Sequence, residues 1–167
     1  DGPRFCARGY GGRCEVLDSM GDRFQLTVYD PAYRPPRWFG EGITYNIFPD
    51  RFCRDRDPVQ PAGEGIAPRV LHENWDDLPV YRPDEHGEIL NNDFFGGTLR
   101  GVMEKLDYLE SLHVQTIYFN PIFQAYSNHR YDTGDYRKVD PILGTNTDFR
   151  KLCAAAGACG IRIVLDG

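Results

Sequence analysis

The sequence lacks several features that would assign a function class directly. No apolar run approaches the ~18 residues that a membrane-spanning helix requires. There is no Asn-x-Ser/Thr acceptor, no Cys-x-x-Cys pair, and no apolar segment of the secretory type among the first residues. The 19 Lys and Arg residues are outnumbered by 25 Asp and Glu, which gives a net charge of -6. Because nucleic-acid binding needs a clustered basic surface, we expect neither a nucleic-acid partner nor a membrane span.

Cysteine is present, but its pattern is not that of a disulfide framework. The five cysteines are an odd number and are widely spread along the chain: Cys6, Cys14, Cys53, Cys153 and Cys159. This spacing predicts free thiols in a reducing compartment, and therefore a cytoplasmic location, with secretion left open.

The composition is that of a folded protein, with 41% hydrophobic and 13% aromatic residues. Three prolines in "DPAYRPPRWF" (Asp30–Phe39) indicate a linker, since proline continues neither a helix nor a central strand. We expect two domains, residues 1–33 and 34–167. In the first, the alternation of "RFQLTVY" (Arg23–Tyr29) predicts a strand.

The second part predicts alternating strands and helices. Short apolar runs at Gly42–Phe48, Val114–Asn120 and Ile161–Asp166 indicate buried strands. Apolar residues at helical spacing predict one helix over Leu99–Leu112, capped by Thr98. A second helix is predicted from the capping-box pair Thr145 and Asp148 to Gly160 at its C-terminal end. The order βαβαβ indicates parallel strands.

A doubly wound sheet and the opening of a (β/α)8 barrel both fit this order. The first strand is followed by "PDRFCRDRDP", which lacks the glycine-rich turn that a nucleotide-binding sheet carries there. The connection over residues 49–95 is long, and such loops after the carboxyl ends of barrel strands build active sites. "SNHRYDTGDY" (Ser127–Tyr136) follows a strand in the same way and is too polar to be core.

Four stretches in order carry a family resemblance: "ITYNIFPDRF", "NDFFGGTLRGVMEKLDYLESLHVQTIYFNPIF", "SNHRYDTGDYRKVDPILGT" and "GIRIVLDG". They resemble the α-amylase family of glycoside hydrolases, and in particular its neopullulanase, cyclomaltodextrinase and maltogenic amylase group. The resemblance implies an α/β fold, namely the first three βα units of a TIM (β/α)8 barrel preceded by the tail of a small β-sandwich domain.

The resemblance also implies a retaining hydrolase of α-1,4 or α-1,6 glucosidic bonds in maltooligosaccharides, cyclodextrins or pullulan. The family's nucleophile, acid/base and second aspartate follow its fourth, fifth and seventh strands. We therefore expect the nucleophile and the acid/base to lie beyond Gly167, so no catalytic residue is assigned here, and the chain alone is expected to be inactive. A homodimer of the full-length protein is compatible with the family. The alternatives are a catalytically silent amylase-like sugar-binding or transporter-associated protein, and a transglycosylase or isomerase on the same barrel.

Candidate site residues follow from the same motifs. His129 and Tyr131 are similar to the family's residues around the glucose being cleaved, where the tyrosine ring would stack on the sugar. Asp166 and Tyr45 are expected to support active-site geometry. Asp132 and Asp135 could form an acid/base pair, but their spacing in a loop containing glycine favours turn hydrogen bonds.

The resemblance allows calcium and implies no organic cofactor. Asp55 and Asp57 are the weak candidate ligands, and hard cations require several such oxygens. Arginines stand among these aspartates, and Thr98 stands where relatives carry Asp, so the sequence disfavours the metal. Trp75 and Tyr81, in the long loop, could form a sugar platform or pack as a rigid lid.

Overall fold

The computed structural model describes residues 2–55 and 69–167. Within them the chain divides into two compact units, on either side of the bond between Pro36 and Arg37. None of the helices in these ranges is both long and apolar enough to cross a membrane. Asp57, one of the two candidate calcium ligands, lies outside the described residues.

The first unit contains an antiparallel hairpin of β1 (Phe5–Arg8) and β2 (Cys14–Leu17). The hairpin brings Cys6 and Cys14 together as a disulfide, with their Cα atoms 5.7 Å apart. The prediction of free thiols is therefore wrong for this pair. An odd cysteine count does not prevent two cysteines from pairing across a hairpin, so the cysteines do not indicate a reducing compartment.

The strand predicted over Arg23–Tyr29 is also wrong. These residues, all described, adopt no strand, and Leu26 and Val28 are 86% and 87% exposed. Alternating apolar residues form a strand only when a neighbouring strand supplies hydrogen bonds and an apolar face. No described strand pairs with this segment.

The second unit is an α/β arrangement. In the described residues its elements are β3 (Ile43–Ile47), β4 (Val70–Leu71), β5 (Asp93–Phe94), α1 (Leu99–Glu104), α2 (Leu106–Ser111), β6 (Val114–Phe119), β7 (Phe123–Gln124), β8 (Asp135–Val139), α3 (Asn146–Ala158) and β9 (Arg162–Leu165). The strands β3, β6 and β9 form a parallel sheet in that order. The three predicted strands and the parallel order are thus confirmed.

The helix predicted over residues 99–112 is divided at Lys105. The cap is confirmed, since the Thr98 hydroxyl accepts a hydrogen bond from the Gly101 N–H at 2.9 Å. Lys105 has φ -105° and ψ 8°, and its N–H bonds to the carbonyl of Val102, three residues back. The apolar periodicity survives this break, because residues on both halves belong to one buried core.

The other helix, α3, follows the prediction closely. Thr145 accepts from the backbone N–H of Asp148, and the Asp148 carboxylate accepts from the backbone N–H of Thr145, so both halves of the capping box form. Gly160 has φ 72°, the left-handed conformation that glycine adopts most readily after a helix.

The faces of the sheet differ in character. Residues that point towards the helices are the buried core members Ile47, Ile117 and Phe119. Asn46 and Tyr118 are register partners one position away, so they lie on the opposite face. The N–H of Asn120 bonds to the carbonyl of Ile47, which joins the carboxyl ends of neighbouring strands. The loops after these ends form the candidate site.

Candidate functional site

The candidate site is centred on a hydrogen bond between the loop of residues 127–136 and the end of β9. The Tyr131 hydroxyl donates to Oδ2 of Asp166 over 2.6 Å, and the backbone N–H of Gly167 donates to Oδ1 of the same carboxylate over 3.0 Å. Hydrogen bonds from Tyr131 and Tyr118 lower the pKa of Asp166, and the same bonds raise the pKa of each tyrosine. At neutral pH the carboxylate is therefore ionised and both hydroxyls keep their protons.

Polar side chains from β3 and β6 extend this contact across the sheet. The Asn46 amide donates to Oδ1 of Asn120 over 3.1 Å. Asn120 also acts on Tyr131, since a hydrogen bond from it offsets part of the rise in the pKa of Tyr131. The ends of three neighbouring strands thus meet in one polar network. Sequence reasoning missed Asn46, Tyr118 and Asn120, although polar residues at alternate positions of otherwise apolar strands were a usable signal.

His129 lies beside Tyr131. The two rings are stacked, with centroids 5.7 Å apart and an interplanar angle of 29°. The backbone N–H of Tyr131 donates to Nδ1 of His129 over 3.1 Å. A neutral imidazole that accepts at Nδ1 carries its proton on Nε2, so His129 keeps one ring donor for another group.

Along residues 128–131 of the loop, buried residues that anchor it alternate with more exposed residues. Arg130 is fully buried, and its Nε donates to the equally buried Asp140 over 3.2 Å. Asn128 is also buried and donates to the carboxylate of Asp93 over 2.8 Å. Arg130 itself adopts φ 63°, an uncommon left-handed conformation for a residue with a side chain. These anchors leave His129 and Tyr131 directed away from the core.

Asp132 and Asp135 make local hydrogen bonds. Asp132 accepts from the backbone N–H groups of Tyr126 and Ser127, each over 3.1 Å, and from the Ser127 hydroxyl. Burial would raise the pKa of Asp132, but the hydrogen bonds that it accepts, led by those from Ser127, together outweigh burial and lower that pKa. Asp135 accepts from the N–H of Arg137. Each carboxylate thus has the turn partners that its spacing favours.

Tyr45 is not brought into this network. Its ring packs edge-on against Phe52, with centroids 6.3 Å apart, and lies against the hydrophobic core. The register pairs Tyr45 with Ile117, on the face opposite Tyr118. Asp166, His129 and Tyr131 are together, and Tyr45 is separated from them by the sheet.

The end of the long loop is held by two buried carboxylates. Asp50 accepts from the backbone N–H groups of Phe95 and Gly96 over 2.9 and 3.0 Å, and burial raises its pKa. Asp93 accepts from His72 and pairs with Arg51. Asp50 and Arg51 are adjacent in the chain, but each of them has a different partner across the loop.

The two candidate platform aromatics have different environments. Trp75 packs edge-on against Phe95 at 6.2 Å, which fits the packed-lid interpretation. Tyr81 is 60% exposed beside a groove that is also lined by Val80 and Ile89. Of the two, Tyr81 has the open surface that a sugar platform requires.

The residues near Asp55 do not fit a calcium ion. Its carboxylate accepts a hydrogen bond from the Thr98 hydroxyl. The neighbouring Arg54 directs its positive guanidinium at backbone carbonyl oxygens, a type of ligand that hard cations use. In residues 2–55 and 69–167 no three His, Cys, Asp or Glu side chains cluster as a metal site.

Comparisons with known proteins all find proteins of one kind, the amylases and pullulanases. The model of the alpha amylase catalytic domain matches residues 46–167. An amylopullulanase from Thermoanaerobacterium saccharolyticum is 44% identical over 166 residues, covering 94% of this chain and 13% of that protein. The intracellular maltogenic amylase of Bacillus subtilis (strain 168) is 40% identical over 164 residues, covering 95% and 25%.

A solved structure gives the same result. The type III pullulan hydrolase from Thermococcus kodakarensis superposes with a TM-score of 0.65 at 32% identity, over 93% of this chain and 28% of that one. The chain spans between 13% and 25% of the length of the two curated relatives above.

Proposed function

Because the chain belongs to the α-amylase family, as its sequence motifs predict, we propose that the full-length protein is a retaining α-glucan hydrolase. In this proposal residues 34–167 are the first three βα units of its TIM (β/α)8 barrel, and residues 1–33 are the tail of a β-sandwich domain. The substrates are maltooligosaccharides, cyclodextrins or pullulan. In this proposal the full-length protein is a homodimer. Its molar mass in solution, measured by light scattering, tests this.

The observation that carries this proposal is the bond between Tyr131 and Asp166. It ties the loop of residues 127–136 to the carboxyl end of β9, on the side of the sheet where barrel enzymes bind substrate. With its hydroxyl held, the Tyr131 ring has a fixed orientation and keeps 57% of its surface exposed. A ring of this kind can stack on the apolar face of a pyranose, while Nε2 of His129 donates to a sugar hydroxyl.

The electrostatics of the site suit binding rather than proton transfer. The raised pKa of Tyr131 and the lowered pKa of Asp166 move both groups away from neutral pH. A general acid or base works best with a pKa near the operating pH. We therefore assign His129, Tyr131 and Asp166 to holding and orienting the glucose unit. The nucleophile and the acid/base of a retaining glycosidase are two further carboxyl groups, which this proposal places beyond Gly167 on other strands of the barrel.

The test uses the full-length protein with maltotriose or pullulan and follows the products by proton NMR. A retaining hydrolase releases the α-anomer first, before mutarotation produces the β-anomer. Initial release of the β-anomer would contradict retention. Calorimetric binding without turnover would indicate the silent sugar-binding protein, and transfer products without net hydrolysis would indicate the transglycosylase or isomerase.

A further inference from the structure

Arg54 makes contacts that resemble those of a bound cation. Its Nε donates to the carbonyl oxygen of Phe95 over 2.6 Å, and its Nη2 to that of His72 over 2.7 Å. Its Nη1 donates to the carbonyl oxygen of Glu73 over 3.1 Å. The carbonyls come from two separate segments, which the long loop brings together. We propose that Arg54 is an internal replacement for calcium, holding the long loop to the end of the sheet without a metal.

Converging carbonyl oxygens are what a hard cation uses and what a guanidinium can also satisfy. Calcium takes six to eight oxygens, including backbone carbonyls. A guanidinium has five N–H donors in a planar fork and stays charged at every physiological pH. Arg54 directs three of its nitrogens at these oxygens. Each of the three oxygens therefore already accepts a hydrogen bond from a positive charge.

The packing around Arg54 keeps the fork in place. The guanidinium carbon lies 5.3 Å from the centre of the Trp75 ring, within cation–π range. The Phe95 ring contacts both Trp75 and His72, with the His72 ring stacked on it at 4.3 Å. Each carbonyl that Arg54 binds thus belongs to one of these packed aromatic residues or to Glu73, next to them.

Among the described residues, two neighbouring side chains that carry oxygen, Asp55 and Thr98, are already hydrogen-bonded. The Thr98 hydroxyl donates to Asp55 and accepts from the N–H of Gly101, which caps α1. A divalent ion at this point would have to break these bonds and approach a permanent positive charge. Like charges at a few ångströms repel strongly unless water screens them. The positive charge at this position is therefore the guanidinium of Arg54 itself.

The replacement has a consequence for the loop as a whole. Arg54 binds the carbonyl of His72, and the His72 ring bonds to the buried Asp93. Asp93 in turn accepts from Asn128, which anchors the loop of residues 127–136. The order of the long loop should not depend on calcium. The inference stands on these contacts alone, so it can fail while the proposed hydrolase activity holds.

The experiment measures chymotryptic cleavage after the exposed Tyr81 in the full-length protein, with the site identified by mass spectrometry. EDTA or added calcium should leave the wild-type cleavage rate unchanged. Arg54→Gln should be cleaved several-fold faster with or without calcium, because it loses the charge and at least one of the three bonds. Arg137→Gln, an exposed arginine outside the loop, is the matched control and should behave as wild type.

Two results would overturn the proposal: faster cleavage of the wild-type loop in EDTA that calcium reverses, or wild-type resistance in Arg54→Gln. If Arg54→Gln fails to fold, Arg54→Lys replaces it. A lysine keeps the charge but cannot bridge three carbonyls in one plane, so intermediate cleavage is expected. Wild-type resistance in Arg54→Lys would equally contradict the proposal.

Discussion

The buried pair of Arg130 and Asp140 should determine whether the candidate site keeps its shape. Both side chains are completely inaccessible to solvent, and Nε of Arg130 is 3.2 Å from Oδ2 of Asp140. Nη1 donates to the carbonyl of Asn128 over 2.8 Å, while Nη2 has no hydrogen-bond partner among the described residues. The guanidinium therefore depends heavily on Asp140.

Replacing Asp140 by alanine should destabilise the protein strongly. Removing one partner of a buried ion pair leaves an uncompensated charge and typically costs about 3–5 kcal/mol. The upper part of that range applies here, because Arg130 already has one unsatisfied group and its surroundings admit no solvent. The backbone at residues 127–131 should loosen, and activity should fall with it.

The assay is a double-mutant cycle of Asp140→Ala and Arg130→Met in the full-length protein. Urea unfolding is followed through the transition that contains the sheet. Each single change should cost several kcal/mol, and the double change clearly less than their sum. Coupling should be at the upper end of the roughly 0.5–3 kcal/mol found for residues in contact.

An exposed ion pair serves as the control for this cycle. Lys138 and Asp135 lie 3.7 Å apart, but their side chains are 68% and 35% exposed. Their coupling should not exceed about 1 kcal/mol, because solvent screens the charges. Additive effects at Arg130 and Asp140, indistinguishable from the exposed pair, would refute the reasoning.

Three further predictions concern other parts of the chain. Because the pKa of Asp132 is lower in the folded protein than its ordinary value of 3.8, the ionised carboxylate stabilises the fold at pH values above 3.8, and this stabilisation is lost as the pH falls through the folded-state pKa. The melting temperature of Asp132→Asn should therefore fall less steeply in acid than that of the wild type. Parallel profiles of melting temperature against pH would contradict this. Gly101→Ala should destabilise the protein by about 1–3 kcal/mol, since its Cβ would overlap the carbonyl oxygen of Cys53. Gly157→Ala, where no other atom lies close to the added Cβ, should instead stabilise it by up to about 1 kcal/mol in the same melting assay. The 167-residue chain alone should not cleave a chromogenic maltoside, because the proposed catalytic carboxylates lie outside it; turnover that survives stringent purification would disprove this.

The parts of the fold that sequence predicts well depend on local interactions. The capping box of Thr145 and Asp148 joins residues three apart, so its geometry is visible in the letters alone. Buried strands such as Val114–Phe119 are equally recognisable as apolar runs. The motif around His129 and Tyr131 was recognisable because both residues fall in one short segment.

The parts that sequence missed depend on partners far along the chain. Arg54 contacts carbonyls at residues 72, 73 and 95, and backbone oxygens leave no trace in the sequence. The alternation at Arg23–Tyr29 predicted a strand whose pairing partner the described residues do not contain. The disulfide between Cys6 and Cys14 follows from a hairpin that the sequence analysis did not identify.

In the proposed function Tyr131 holds the glucose unit that is cleaved, and kcat of Tyr131→Ala in the full-length protein is the direct test of this role. Tyr136→Ala is the matched control, since Tyr136 lies at the start of β8, five residues further along, and the two side chains are 57% and 59% exposed. Loss of an orienting group should lower kcat on the order of 10- to 100-fold for Tyr131→Ala, with little change for Tyr136→Ala. A normal kcat in Tyr131→Ala together with a depressed melting temperature would contradict the claim and leave Tyr131 as a packing residue of the loop.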